Sequence, residues 1–186
     1  MLQLERQNYQ KNVRKYREER IKLTESIGRS FVVHHVGSTA IPQMSGKNIL
    51  DILIGAPSSD DLKTALRKLI RKGYFVGKGK EDDYVFLASR AEETRSGDIH
   101  IHLAIIGSDR YEDFLYLKNY LLENPYEAAK YRGIKRLIAK TTDGDRTDYK
   151  KKKSEYVADL LKKARLYYEK TTKDTSFRET WRKCRE

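Results

Sequence analysis

Apolar positions along the chain switch between two spacings, and the switches mark the elements. From residue 5 to residue 28 they recur at helical intervals, with Tyr9, Val13, Tyr16, Arg20 and Leu23 to Ile27 near one face and Gly28 as a left-handed stop. Phe31 to Val36 then predicts a strand, with His34 and His35 pointing to opposite faces. Ile49 to Ile54 predicts a second strand built for burial except for one acid, Asp51. Residues 57–73 return to helical spacing, with serine caps, Asp60 and Asp61 in the first turn, and Leu62, Ala65, Leu66, Leu69 and Ile70 on one side.

The second half repeats the change of period. Tyr74 to Val76 and Tyr84 to Ser89 predict strands joined by a basic hairpin, Gly77-Lys78-Gly79-Lys80, which lacks the spacing of a phosphate-binding P-loop. After a polar turn, Ala91 to Gly97, the segment Asp98 to Ile106 alternates: Asp98, His100 and His102 share one face, and Ile99, Ile101, Leu103 and Ile105 the other. Three helices follow. The first covers about 110–122. The second covers about 124–140, with Asn124 as cap, Pro125 at the first helical position, Glu127 placed for a capping box, and Tyr131, Ile134, Leu137 and Ile138 as its apolar stripe. The third is long and turns Tyr149, Lys153, Tyr156, Val157, Leu160, Leu161, Ala164 and Tyr168 inward. Short strands early and helices late predict an α+β fold: a mixed sheet with helices on one face and a helical subdomain over about 110–170. One domain over 1–170 is expected, followed by a basic tail, 171–186, that carries Trp181 and Cys184.

Composition narrows the function classes. The 186 residues hold 38% hydrophobic and 35% charged side chains, and no run approaches the roughly 20 apolar residues that span a bilayer. The start, MLQLERQNYQ, lacks the order of a secretory signal, so a cytoplasmic protein with no membrane partner is expected. One cysteine excludes an internal disulfide framework and a cysteine-cluster metal site. The formal charge of +12 points to anionic partners. Lysine and arginine are spread along the chain and interleaved with acids, which favours a small phosphorylated ligand over nucleic acid as the main partner.

Chemistry concentrates in 31–57. Gly37-Ser38 at a strand end brings backbone N–H groups and a hydroxyl close to a ligand, with no Cβ on the glycine to obstruct approach. Asp51 in an apolar strand needs a partner, and a divalent cation bound with a phosphate is one such partner. The His100 and His102 face could meet Asp51 and a metal if the two strands are neighbours, or could be the solvent side of an edge strand. Lys153, inside an apolar stripe, either snorkels to water or reaches an anion.

The wording of several segments resembles the GrpB family: His35-Val36-Gly37-Ser38-Thr39-Ala40-Ile41-Pro42, then Lys47-Asn48-Ile49-Leu50-Asp51-Ile52-Leu53-Ile54, His100-Ile101-His102-Leu103, Gly107-Ser108, Asn124-Pro125-Tyr126-Glu127, and Asp145-Arg146-Thr147-Asp148-Tyr149 with Lys153-Ser154-Glu155-Tyr156-Val157. The match runs in order over roughly residues 9 to 165. The resemblance implies a nucleotidyltransferase-like fold with a poorly defined activity. It implies nucleotide contacts at Gly37, Ser38, Lys47 and Lys153, with Arg146 and Tyr149 as further candidates. It also implies a divalent metal (magnesium or manganese, with zinc as an alternative) on Asp51, His100 and His102, and catalytic carboxylates at Asp51 and Asp98. The sequence departs from working enzymes of that fold, which carry two acids at i and i+2 on one strand to hold two metal ions. Here Leu53 or Ile49 stands where the second acid would be. Two readings follow: a nucleotidyltransferase-like protein that binds a nucleoside triphosphate and transfers a nucleotidyl group, or a non-catalytic nucleotide- or polyanion-binding module.

Overall fold

In the computed structural model, residues 4–78, 81–89, 98–143 and 145–171 are described. Strand β1 (Glu5–Arg6) precedes helix α1 (Tyr9–Ile27), then come β2 (Val32–Val36), a 3-10 turn (Ser38–Ala40), β3 (Ser45–Gly46), β4 (Leu50–Ala56), α2 (Ser59–Arg71), β5 (Tyr74–Val76), β6 (Tyr84–Ser89), β7 (Ile99–Ile105), α3 (Asp109–Glu123), α4 (Pro125–Thr141) and α5 (Arg146–Thr171). Gly79, Lys80, the polar turn 90–97 and the tail beyond 171 lie outside the described residues.

A five-stranded mixed sheet has the order β2-β4-β7-β6-β5. The β4–β7 pair is parallel and the others are antiparallel. The α+β expectation therefore holds, and the two central strands are those that carry Asp51 and the histidine pair. One face buries Ile52, Ile54, Ile101, Leu103, Val85 and Leu87 against Leu23 and Ile27 of α1 and Leu62, Ala65 and Leu69 of α2. At roughly 1.5–3 kcal/mol for each fully buried aliphatic side chain, this layer is the main stabilising body of the fold. The other face is not left bare. Tyr111 and Leu115 of α3 cover Val36, Leu53 and Ala104 there. A separate cluster joins α3, α4 and α5 to the loop after β2 through Ile41, Met44, Tyr120, Leu121, Tyr131, Leu160, Ala164 and Tyr168.

Three local expectations are corrected. Residues 5–8 are not helical: Glu5 and Arg6 pair with Gly46 and Ser45, and the Asn8 side chain caps α1 by accepting from the Lys11 N–H. On α1 the inward residue is Glu19 rather than Arg20, because Glu19 accepts the Tyr74 hydroxyl and the Lys22 ammonium. Asn124 does not cap α4 with its side chain; its Nδ2 donates to Tyr120 O and closes the end of α3 instead.

The junction of β2 and its 3-10 turn depends on one glycine. Gly37 has φ 70° and ψ −163°, a region that essentially only glycine occupies. A Cβ there would overlap the Asp51 carboxylate. Gly73 also has positive φ, 93°, but open space around it. Gly37→Ala should therefore lose more stability than Gly73→Ala, about 1–3 kcal/mol for the backbone alone plus the displacement of Asp51. Chemical denaturation of both variants measures this; equal midpoints would show that the Gly37–Asp51 packing is slack.

Candidate functional site

The site is built where the C-terminal end of β2 meets the first residues of β4 and β7. Asp51 lies opposite Val36 across the antiparallel pair and opposite His100 across the parallel pair, and Leu53 lies opposite His102. Register alone therefore puts Asp51, His100 and His102 on one face. The His100 Nδ1 stands 3.3 Å from Asp51 Oδ1, and His102 Nε2 stands 3.7 Å from the same oxygen. His102 is oriented by Tyr84, whose hydroxyl lies 2.8 Å from Nδ1, and by the Phe86 and Phe114 rings. Partial burial raises the cost of ionising Asp51, but the two imidazole contacts outweigh it and hold the carboxyl well below the usual carboxylate range. The imidazole contacts thus favour the ionised carboxylate.

Asp98 is placed elsewhere. Its carboxylate accepts from Lys15 Nζ at 2.5 Å and from Ser89 Oγ at 3.0 Å, so its partners belong to α1 and β6 rather than to the Asp51 group. The Lys15 contact also keeps its pKa low. His35 faces away from Asp51, stacked on Tyr16 at 4.8 Å with Nε2 2.9 Å from Thr39 Oγ1. Burial, with the Lys118 charge, brings its pKa down to about 4, so it is a neutral structural residue. His34 shares the Asp51 face but is paired with the Tyr111 hydroxyl at 2.9 Å.

The donor set does not suit two metal ions. Asp51 stands without a second acid at the neighbouring same-face position, where fully buried Leu53 packs against α3. Among the described residues, no group of three or more His, Cys, Asp or Glu side chains is arranged to hold a metal ion.

Cations gather at the same place. Lys135 of α4 is 2% exposed, and its Nζ meets Ser38 Oγ at 2.8 Å and the Ser45 carbonyl. Burial, with the Lys153 and Lys47 charges and against the pull of Asp51, lowers its pKa to about 7. The Lys47 ammonium rests over the Tyr149 ring, 5.3 Å from its centre. Its pKa is lowered by desolvation and by the Lys153, Arg146 and Lys150 charges. Ser38 thus touches Lys135, whose field also includes Lys47 and Lys153, and Lys47 in turn feels Arg146 and lies over Tyr149.

Two residues escaped sequence reasoning. Lys135 lay in a stripe read as Tyr131, Ile134, Leu137 and Ile138, but the buried face of α4 is Tyr131, Lys135 and Ile138, and Leu137 is exposed. The i, i+4, i+7 spacing from Tyr131 was the available signal. Gln7 is the other. It is 7% exposed, and its side-chain nitrogen has no hydrogen-bond partner among the described residues.

With this geometry in hand, the chain can be set beside known proteins. The UPF0157 protein of Deinococcus radiodurans is 31% identical over 130 residues, 70% of this chain and 65% of that protein's length. The glutamate-rich protein GrpB of Alkalihalophilus pseudofirmus is 26% identical over 132 residues, 69% of this chain and 76% of its own. The crystal structure of the GrpB protein from Enterococcus faecalis superimposes with a TM-score of 0.76 at 23% identity, covering 89% of this chain and 99% of that one. Cid1, titled as having RNA terminal uridylyl transferase activity, gives a TM-score of 0.50 at 14% identity, over 74% of this chain and 41% of Cid1, a likeness of fold alone. The sheet and helices are thus those of a nucleotidyltransferase-like fold. The pattern described as GrpB protein matches residues 5–163, and the chain belongs to the GrpB family.

Proposed function

We propose that the cleft binds a nucleoside triphosphate or a similarly phosphorylated small molecule. The observation that carries this reading is the buried Lys135 ammonium, which faces further cations, with Asp51 as its one attractive charge. A cation desolvated in such company is costly until a multiply charged anion joins it. The Ser38 hydroxyl suits a phosphate oxygen. The Lys47 and Lys153 charges would complete the neutralisation. Binding of this kind needs no resident metal, which accords with the lone carboxylate. Nucleotidyl transfer by a two-metal route does not fit the donors present.

Calorimetric titration of the wild-type chain with ATP, GTP, CTP and UTP, in chelator and with magnesium or manganese, tests the reading. Binding should persist in chelator, and Lys135→Met should weaken it about 10- to 100-fold, the worth of a charge-assisted hydrogen bond. Failure of all four nucleotides to bind would overturn it. Asp51→Asn removes a negative charge beside the phosphates and should tighten binding in chelator. A magnesium- or manganese-dependent gain that Asp51→Asn abolishes would instead assign an ion to Asp51, and pyrophosphate release lost in the same variant would assign transfer.

Lys135 also sets a pH dependence. An anion favours its protonated form, so the bound pKa lies above the free value of about 7. Below that value the free lysine is already charged and affinity is level in pH. Above it, binding must take up a proton, and affinity should fall by up to about tenfold per pH unit until the bound pKa is reached. Titrations in buffers of different ionisation enthalpy should show this uptake near pH 8, and Lys135→Met should abolish it.

A further inference from the structure

We propose that Gln7 is a ligand contact: its side-chain amide donates to an oxygen of a phosphate group seated among Ser38, Gly46 and Lys135. The inference rests on the phosphate-binding reading above and extends it to the N-terminal segment.

The Gln7 amide is held in one orientation, because its Oε1 accepts from Asn12 Nδ2 at 3.2 Å. Its Nε2 therefore points the other way, buried and without a partner among the described residues. An orphaned buried donor costs about 1–3 kcal/mol. Oε1 is used by Asn12, and Nε2 is the half of the amide left with a donor to offer. A Cβ on Gly46 would fall on Gln7 Nε2 and lie 3.2 Å from Ser38 Cβ, so the amide packs on the bare Gly46 backbone beside the Ser38 side chain. Ser38 Oγ in turn lies 2.8 Å from Lys135 Nζ.

An amide, a hydroxyl and an ammonium, from three separate segments, thus collect at one place. The Ser45 carbonyl nearby is already occupied by Lys135. Such a donor-rich setting suits a group that is all acceptor and negatively charged, which is the chemistry of a phosphate.

The N-terminal segment is fixed tightly enough to serve. Glu5 and Arg6 pair with Gly46 and Ser45, the Gln7 N–H donates to Met44 O at 3.2 Å, and Leu4 packs on the cluster of Ile138 and Tyr149. Gln7 is thus held beside Gly46 by a segment whose Leu4 also touches α4 and α5. The ligand site then has four sides: the β2 turn, the β3 strand, helix α4 and the N-terminal strand.

The test uses the full chain with ATP and with inorganic tripolyphosphate as probes. Gln7→Leu should bind both about tenfold more weakly with little change in melting temperature, since the orphaned Nε2 is removed while Asn12 Nδ2 loses its acceptor. Gln7→Glu should bind more weakly still, because a carboxylate would face the phosphate. In the wild-type protein, the Gln7 side-chain amide protons should move downfield in an NMR titration with either probe, a reading that does not require any variant to fold. If Gln7→Leu binds ATP within twofold of wild type, or the amide resonance stays in place while ATP binds, the inference falls and the nucleotide reading stands. If wild type binds neither probe, both fall.

Discussion

The arrangement depends on a buried ammonium. Lys135 reaches from α4 to Ser38 Oγ and to the Ser45 carbonyl, and it is the buried polar tie, beside Arg132 to Gln43 and Arg136 to Ser45, between the sheet's first turn and the helical subdomain. The apolar cluster around Met44, Tyr131 and Leu160 brings these elements together. It does so without direction, as hydrophobic contact does. The lysine adds direction, because hydrogen bonds fix which backbone carbonyl and which hydroxyl face α4. It also adds tension: its other neighbours in the field are lysines, and burial has already removed most of its water. The native state tolerates this cation because Asp51 stands close enough to be felt.

Asp51 therefore serves the fold in more than one way. It closes the underside of Gly37, whose backbone conformation leaves no room for a side chain, and it gathers His100 and His102 on one oxygen. It is also the counter-charge for Lys135. A second acid at position 53 would have to displace a leucine that packs with Val36, Ala104, Tyr111 and Leu115. The absence of that acid is thus built into the packing of α3 against the sheet and is not an isolated substitution at a tolerant position. The nucleotidyltransferase-like fold and the two-metal chemistry are separable here. A fold says where a ligand sits more reliably than what happens to it.

Much of this was legible in the sequence because periodicity reports burial. The alternation at 98–106 and the apolar run at 49–54 gave the two central strands, and the parallel register then made Asp51 and the histidine pair neighbours without further assumption. The Gly37-Ser38 turn at the end of β2 was legible as a turn, and its positive φ and close approach to Asp51 are what the structure adds. Asp98 was misplaced because alternation gives a face but not a partner: at the very start of β7 its side chain is within reach of Lys15 on α1. Lys135 was hidden by its own stripe. A lysine flanked by lysine-rich sequence reads as solvated, and only the turn of α4 against the 41–46 loop shows that it is interior. Gln7 had no signal at all, since a glutamine in a charged amphipathic segment is ordinary until a strand pairing carries it inward.

These exceptions share a cause. Periodic patterns record the burial of apolar groups, whereas the residues that escaped detection are polar groups buried by contacts between segments distant in sequence: 7 with 46, and 135 with 38 and 45. Polar burial is unfavourable unless satisfied, so it does not arise from packing alone. In a chain with so many exposed lysines, one that is desolvated among other cations, beside an amide donor with no acceptor among the described residues, is the opposite of what stability would select. The imbalance has a sign, an excess of donors and positive charge, and a ligand of opposite sign would remove it. In the proposed anion site, the positive charge that a bound ion would contribute in a two-carboxylate site would come from lysines of α4, α5 and the loop after β3.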